Sequence, residues 1–250
     1  RSLFPGDSQA FNYYPMVVRG DVACIYPHSG VLATNKTYYV TLDPGVVVDS
    51  NGAYYPGFSN PTVWQFSTKA TGPANPTNLV VDASGAGDFV TVQGAVDSIP
   101  LGNTNYTRIN IQNGNYFEIV DIAGKNNVTF RGQSRNGTIV GYPNNANIAP
   151  GGTTHARMAF KIDANDIAIE NMTVSNSTPQ GGSQAEALMI ESGAARFILN
   201  NAEVDSRQDT ILANINSSQG YFYHSRIQGN YDYIWGGGNL YFDQCEIRTI

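Results

Sequence analysis

Asp209 and Asp232 are the residues on which a chemical reading of this 250-residue chain turns, because each lies five positions after the end of a repeated octet. One octet runs from Phe197 to Val204 and the other from Gly220 to Ile227, so the two carboxylates occupy equivalent positions. If the octets are successive coils of a parallel stack, repeating at about 4.8 Å, the two side chains leave neighbouring coils on one face. Like charges that close raise one proton affinity, leaving one carboxyl as an acid beside an anion. Such a pair can combine nucleophilic attack with protonation of a leaving group. Spacing alone does not separate this reading from two Asp residues that merely cap turns.

The elements that must position the pair follow from the same repeat. Four octets align: Ile167 to Val174, Phe197 to Val204, Gly220 to Ile227 and Leu240 to Ile247. Their third residues are Ile169, Leu199, Phe222 and Phe242, their eighth Val174, Val204, Ile227 and Ile247, and their fifth the polar Asn171, Asn201, His224 and Gln244. The alternation reads as a strand that bends at position five. Starts separated by 30, 23 and 20 residues fit one coil of a parallel β-helix each, whereas a propeller blade needs about 40. Segments 108–112 and 127–132 read as earlier coils, for at least five in all. Val92, Ala95, Val96 and Ile99 are spaced as the buried face of a short helix over 89–99, stopped by Pro100.

Upstream, segment 70–77 is dense in Pro and small residues and reads as a linker. Before it, 37–42 and 63–67 alternate as strands around turn clusters at 43–45 and 49–52. Residues 1–69 are therefore expected to form a small β-sandwich. Through Tyr38-Tyr39-Val40-Thr41 and the stretch from Trp64 to Thr68, it resembles the bacterial Ig-like modules of secreted carbohydrate-active enzymes. The fold class is all-β, a right-handed parallel β-helix over 78–250 preceded by that sandwich.

Composition narrows the partners. Charged residues are 14%, Gly numbers 26, and 14 basic against 20 acidic residues leave a net charge of −6 without a basic stripe, which argues against nucleic acid. Apolar runs are far shorter than the ~18 residues of a membrane span. Cys24 and Cys245 lack zinc spacing, and His28, His155 and His224 are too scattered for a metal site. No metal and no cofactor are expected.

Several ordered motifs carry a resemblance to the pectin methylesterase (pectinesterase) family: Gln208-Asp209-Thr210, the run from Asp232 to Gly236, and Gln184-Ala185-Glu186-Ala187-Leu188. The stretches 81–93, 114–118 and 126–132 match the family's opening coils in order, so the resemblance covers about 79 to 250. It implies a secreted, extracellular hydrolase acting on the methyl esters of homogalacturonan in pectin. Asp232 would be the nucleophile and Asp209 the acid and then base, while Gln184 and Gln208 would donate N–H groups to the oxyanion. Tyr233 and Trp235 would bind substrate by stacking on sugar rings, although alternation after Asp232 leaves only one side of this pair for the substrate.

The chain departs from the family at Ile211 and Leu212, where Leu and an aromatic are usual, and no Gly-Arg-Pro-Trp segment supplies the arginine that pairs with the nucleophile. Ile250 lies three residues past the last octet, so the β-helix is expected to lack its C-terminal coils. The competing reading is a non-catalytic structural or glycan-adhesive β-helix, self-associating through an open last coil. A pectate lyase or polygalacturonase would want a calcium cluster or a carboxylate triad, which the motifs do not supply.

Overall fold

The computed structural model describes residues 16–19, 21–27, 30–148, 156–214 and 218–250. His28 and His155 lie outside them, as does the start of the expected sandwich. The chain divides into two compact units, one spanning Pro15–Ala74 and one that contains Asn75–Ile250.

In the smaller unit, Met16–Arg19 pairs antiparallel with Val22–Ile25, and Thr37–Tyr39 with Gln65–Ser67. The second pair joins the two segments that alternate in the sequence, and Tyr38 stacks on Phe66 at 5.6 Å between ring centroids. Isolated bridges link Leu42 to Phe58 and Val48 to Tyr54. No described residue of this unit is buried. Among the described residues, the region expected to be an Ig-like sandwich holds two antiparallel strand pairs and two isolated antiparallel bridges.

The larger unit is a parallel β-helix. One sheet stacks seven strands: Asn78–Val81, Thr107–Ile111, Val128–Gly132, Ile167–Glu170, Phe197–Asn200, Gln219–Tyr223 and Asn239–Asp243. A second stacks six: Gly114–Phe117, Thr138–Gly141, Thr173–Asn176, Glu203–Ser206, Arg226–Gly229 and Glu246–Thr249. The third stacks five: Val120–Ala123, Phe160–Asp163, Leu188–Ile190, Ile211–Ala213 and Ile234–Gly236. The chain visits the sheets in rotation, and parallel crossovers of this kind are right-handed.

The octet register is the register of the sheets. Ile169 pairs with Leu199, Leu199 with Phe222 and Phe222 with Phe242 in the seven-stranded sheet. Val174, Val204, Ile227 and Ile247 pair in the same order in the six-stranded one. Between the two strands of each octet the polar fifth residue turns left-handed, with φ of 55° at Asn171, 46° at Asn201, 46° at His224 and 52° at Gln244. Asn adopts that region at small cost because its short amide bonds locally. Here the amides also bond between coils: Asn171 Nδ2 donates to Gly132 O at 2.9 Å, and Asn201 Nδ2 to Asn171 Oδ1 at 2.9 Å.

Val92–Ser98 is the helix that the spacing predicts, with the Thr91 hydroxyl accepting from Gly94 N at 3.1 Å as its N-cap. Val92, Ala95 and Val96 join the main core, as does Ile99 just beyond the helix end. The helix packs on the first strands of the stack and so covers its N-terminal end.

The Glu118 carboxylate accepts from Val92 N at 2.9 Å and Gln93 N at 2.8 Å. Burial nonetheless pushes it up to about 7 against those two bonds, from an ordinary value of 4.5. A folded-state value above the unfolded one stabilises at low pH, and that stabilisation is lost as pH rises from 4.5 through 7. A shift of that size corresponds to roughly 3 kcal/mol. Thermal melts across this range should therefore fall more steeply for the native protein than for Glu118→Gln, whose amide does not titrate; parallel curves would contradict the assignment.

Candidate active site

Leu188, Ile211 and Ile234 are register partners on consecutive coils. Two residues upstream of each stand Glu186, Asp209 and Asp232, which puts three carboxylates in line. The backbone continues the register through the two turns: Asp209 N donates to Tyr231 O and Ile211 N to Tyr233 O, both at 2.9 Å, and Gln208 bridges Tyr231. Asp209 and Asp232 share the left-handed conformation, at φ 57° and 42°. Asp, like Asn, adopts it more readily than most residues. Thr210 Oγ1 ties its turn to the next coil through Gln228 O at 3.0 Å. A Cβ at Gly229 would meet Tyr233 Cβ at 2.3 Å and Thr210 Oγ1 at 2.4 Å, so only glycine admits this close approach.

The two aspartates differ in environment. Asp209 is 5% exposed, whereas Asp232 is exposed to solvent. Burial pushes the Asp209 carboxyl up to about 6, the Arg157 guanidinium opposes that rise, and the charge of Asp232 adds to it. The like-charge effect expected from the spacing is present, but burial is the larger cause.

Arg157 and Glu186 are the residues that spacing did not single out. Arg157 Nε lies 2.9 Å from both Glu186 carboxylate oxygens, and Nη2 donates to Oε1 at 2.7 Å. Nη2 also reaches Asp209 Oδ2 at 3.2 Å. The guanidinium carbon lies 5.7 Å from the centroid of the Trp235 ring. Glu186 is fully buried, and burial raises its proton affinity while Arg157 lowers it. A sequence signal existed, since Glu186 sits in the motif between Gln184 and Leu188. It was masked because 12 residues separate Val174 from Glu186, where 5 separate Val204 from Asp209.

Gln208 is half-buried directly before Asp209. Gln184 is exposed, two residues before Glu186, and its Oε1 accepts from the Ser183 hydroxyl at 3.2 Å. The two glutamines thus sit on adjacent coils, offset by one residue. Tyr233 packs on the main core, whereas Trp235 packs with Met158, Met189 and Leu212 in a second cluster. Leu212, which replaces an aromatic of the resembled motif, is the register partner of Trp235 in that cluster. Among the described residues no three His, Cys, Asp or Glu side chains gather as metal ligands would.

The pectinesterase family model matches residues 78–250. This chain belongs to the pectinesterase family. The chain is 30% identical over 177 residues to Pectinesterase 31 of Arabidopsis thaliana, covering 67% of this chain and 55% of that protein. It is 34% identical over 199 residues to Pectinesterase QRT1 of the same plant, covering 73% and 51%. Among solved structures it resembles pectin methylesterase from carrot, with a TM-score of 0.64, 27% identity and coverage of 72% of this chain and 54% of that one. A pectin methylesterase from Yersinia enterocolitica matches with a TM-score of 0.60 and 25% identity, over 64% of this chain and 55% of that one. The chain spans about half the length of these relatives.

Ser206 holds the turn that carries Gln208 and Asp209. Its buried hydroxyl reaches Ala185 O at 2.7 Å and Gln208 O at 3.0 Å, and accepts from Gln208 N at 3.3 Å. Ser206→Ala leaves those groups short of a partner and should cost about 1–3 kcal/mol of stability. Denaturant midpoints of the two proteins measure it, and an unchanged midpoint would show that the turn does not depend on this hydroxyl.

Proposed function

We propose that this chain bears the reacting carboxylates of a secreted carbohydrate esterase that hydrolyses methyl esters of homogalacturonan to pectate and methanol. The observation that carries the proposal is the in-register pair of unequal aspartates, one buried and held toward its protonated form, the other open to solvent. Family membership supports the reaction class, and a pectin methylesterase of the same fold, 26% identical with a TM-score of 0.60, has been crystallised with a hexasaccharide. The net charge of −6 also favours a methylated, less acidic polymer over its demethylated product.

In this mechanism an Asp232 carboxylate oxygen attacks the ester carbonyl carbon and forms a tetrahedral oxyanion. The Gln208 and Gln184 side-chain amides donate to that oxyanion without a metal. As the intermediate collapses, the bond to the methoxy oxygen breaks and Asp209 gives that oxygen its proton, so methanol leaves. Asp209, now an anion, takes a proton from water as the water attacks the acyl-enzyme carbonyl, which frees Asp232 and returns Asp209 to its acid form. Trp235 is the aromatic on the Arg157 side and is assigned to the sugar ring, whereas Tyr233 supports the turn from the core side. We assign the unit Pro15–Ala74 a spacer role.

Methanol release from highly methylated pectin tests the proposal. Asp232→Asn should abolish turnover with the fold retained, and Asp209→Asn should slow both halves of the reaction. Unsaturated oligosaccharides absorbing in the ultraviolet, or full activity of Asp232→Asn, would overturn it. Because Asp209 must begin protonated, kcat/KM should decline as pH rises through about 6 in the native protein.

A further inference from the structure

We infer that Arg157, clamped by Glu186, is a positioning residue that orients Asp209 and keeps its carboxyl able to give up and regain a proton. The inference rests on the acid and base role proposed for Asp209. Its ground is a buried ion pair, a class of contact that often adds little net stability over apolar packing. Arg157 is 7% exposed and Glu186 is fully buried, and taking two such charges out of water carries a desolvation cost that the attraction between them scarcely offsets. Apolar side chains would serve the stack as well, as Met158, Met189 and Leu212 do beside the pair.

The geometry gives the pair a direction. Glu186 engages Nε and Nη2 together, which fixes the guanidinium plane, and the Trp235 ring limits it on another side. The clamped Nη2 then meets Oδ2 of Asp209, while Oδ1 takes no hydrogen bond among the described residues. Asp209 is thereby held by one oxygen, with the other left for proton exchange. The charged groups around it are Arg157 and Glu186 from the preceding coils and Asp232 from the following one. Burial and the Asp232 charge both favour the protonated form, so without Arg157 the anion left after the proton has gone to the leaving alcohol would be buried with no opposing charge beside it. Arg157 supplies the opposing field when Asp209 becomes the anion and Asp232 is acylated.

Arg157→Met alone strands Glu186 as a buried charge and can fail to fold, so the deciding variant is Arg157→Met with Glu186→Met, set beside Arg157→Lys. The double variant removes the lowering charge of Arg157 together with the raising charge of Glu186, and because Arg157 touches Asp209 directly its loss should dominate and move the alkaline limb of kcat/KM upward, with kcat reduced and KM little changed. Arg157→Lys should bring the limb back to within half a unit of the native protein. A folded double variant with an unmoved limb, or a lysine variant that behaves like the double, would overturn the inference. Carbon-13 NMR titration of the Asp209 carboxyl reads the same shift without substrate. If the native protein releases no methanol yet the carboxyl shifts in the double variant, the proposed function fails and the Arg157 coupling stands. If methanol is released and the carboxyl does not shift, the coupling fails alone.

Discussion

The structure depends on one constraint, the in-register parallel pairing of successive coils. A slip of one residue would send every inward side chain of a coil outward, and the buried ladders of Ile, Leu, Val and Phe make that slip costly. Left-handed residues at fixed positions enforce the same register at the bends. A polar residue there bends the chain and leaves its own N–H for the next coil: Asn171 N meets Asn200 O, Asn201 N meets Tyr223 O, and His224 N meets Asp243 O. Asp209 and Asp232 occupy a second set of such bends. The property that lets Asp turn the corner also stacks the two carboxylates, so their alignment is a by-product of how the coil closes.

What distinguishes the two carboxylates is depth. Asp209 is buried beside Arg157 and Glu186, whereas Asp232 is exposed. Equivalent backbone positions thus become chemically unequal without any difference in local conformation.

Much of this was legible in the sequence. The octets predicted the sheet register residue for residue, because a β-helix coil writes its apolar ladder directly into spacing, and the helix at Val92–Ser98 was legible for the same reason. The alignment of Asp209 with Asp232 followed from it. The alignment of Glu186 with both did not, since 12 residues rather than 5 separate it from its octet and spacing carries no record of where a loop rejoins the stack. Arg157 was less visible still, because nothing in a lone Arg beside a Met announces a buried ion pair with a residue 29 positions away. The sandwich expected upstream rested on alternation in 37–42 and 63–67. That alternation marks a pair of strands, and the strands pair, but without buried residues it does not specify how sheets would face each other.

The longer connection between Val174 and Glu186 also bears on how such a protein can change. It carries seven more residues than its counterpart one coil later, yet Leu188 still meets Ile211 in register. Lengthening a loop is cheap, about 0.6 kcal/mol for each doubling, because its ends are already held together by the ladder. Insertions and deletions at this bend therefore remodel the rim beside the carboxylates while the carboxylates keep their places.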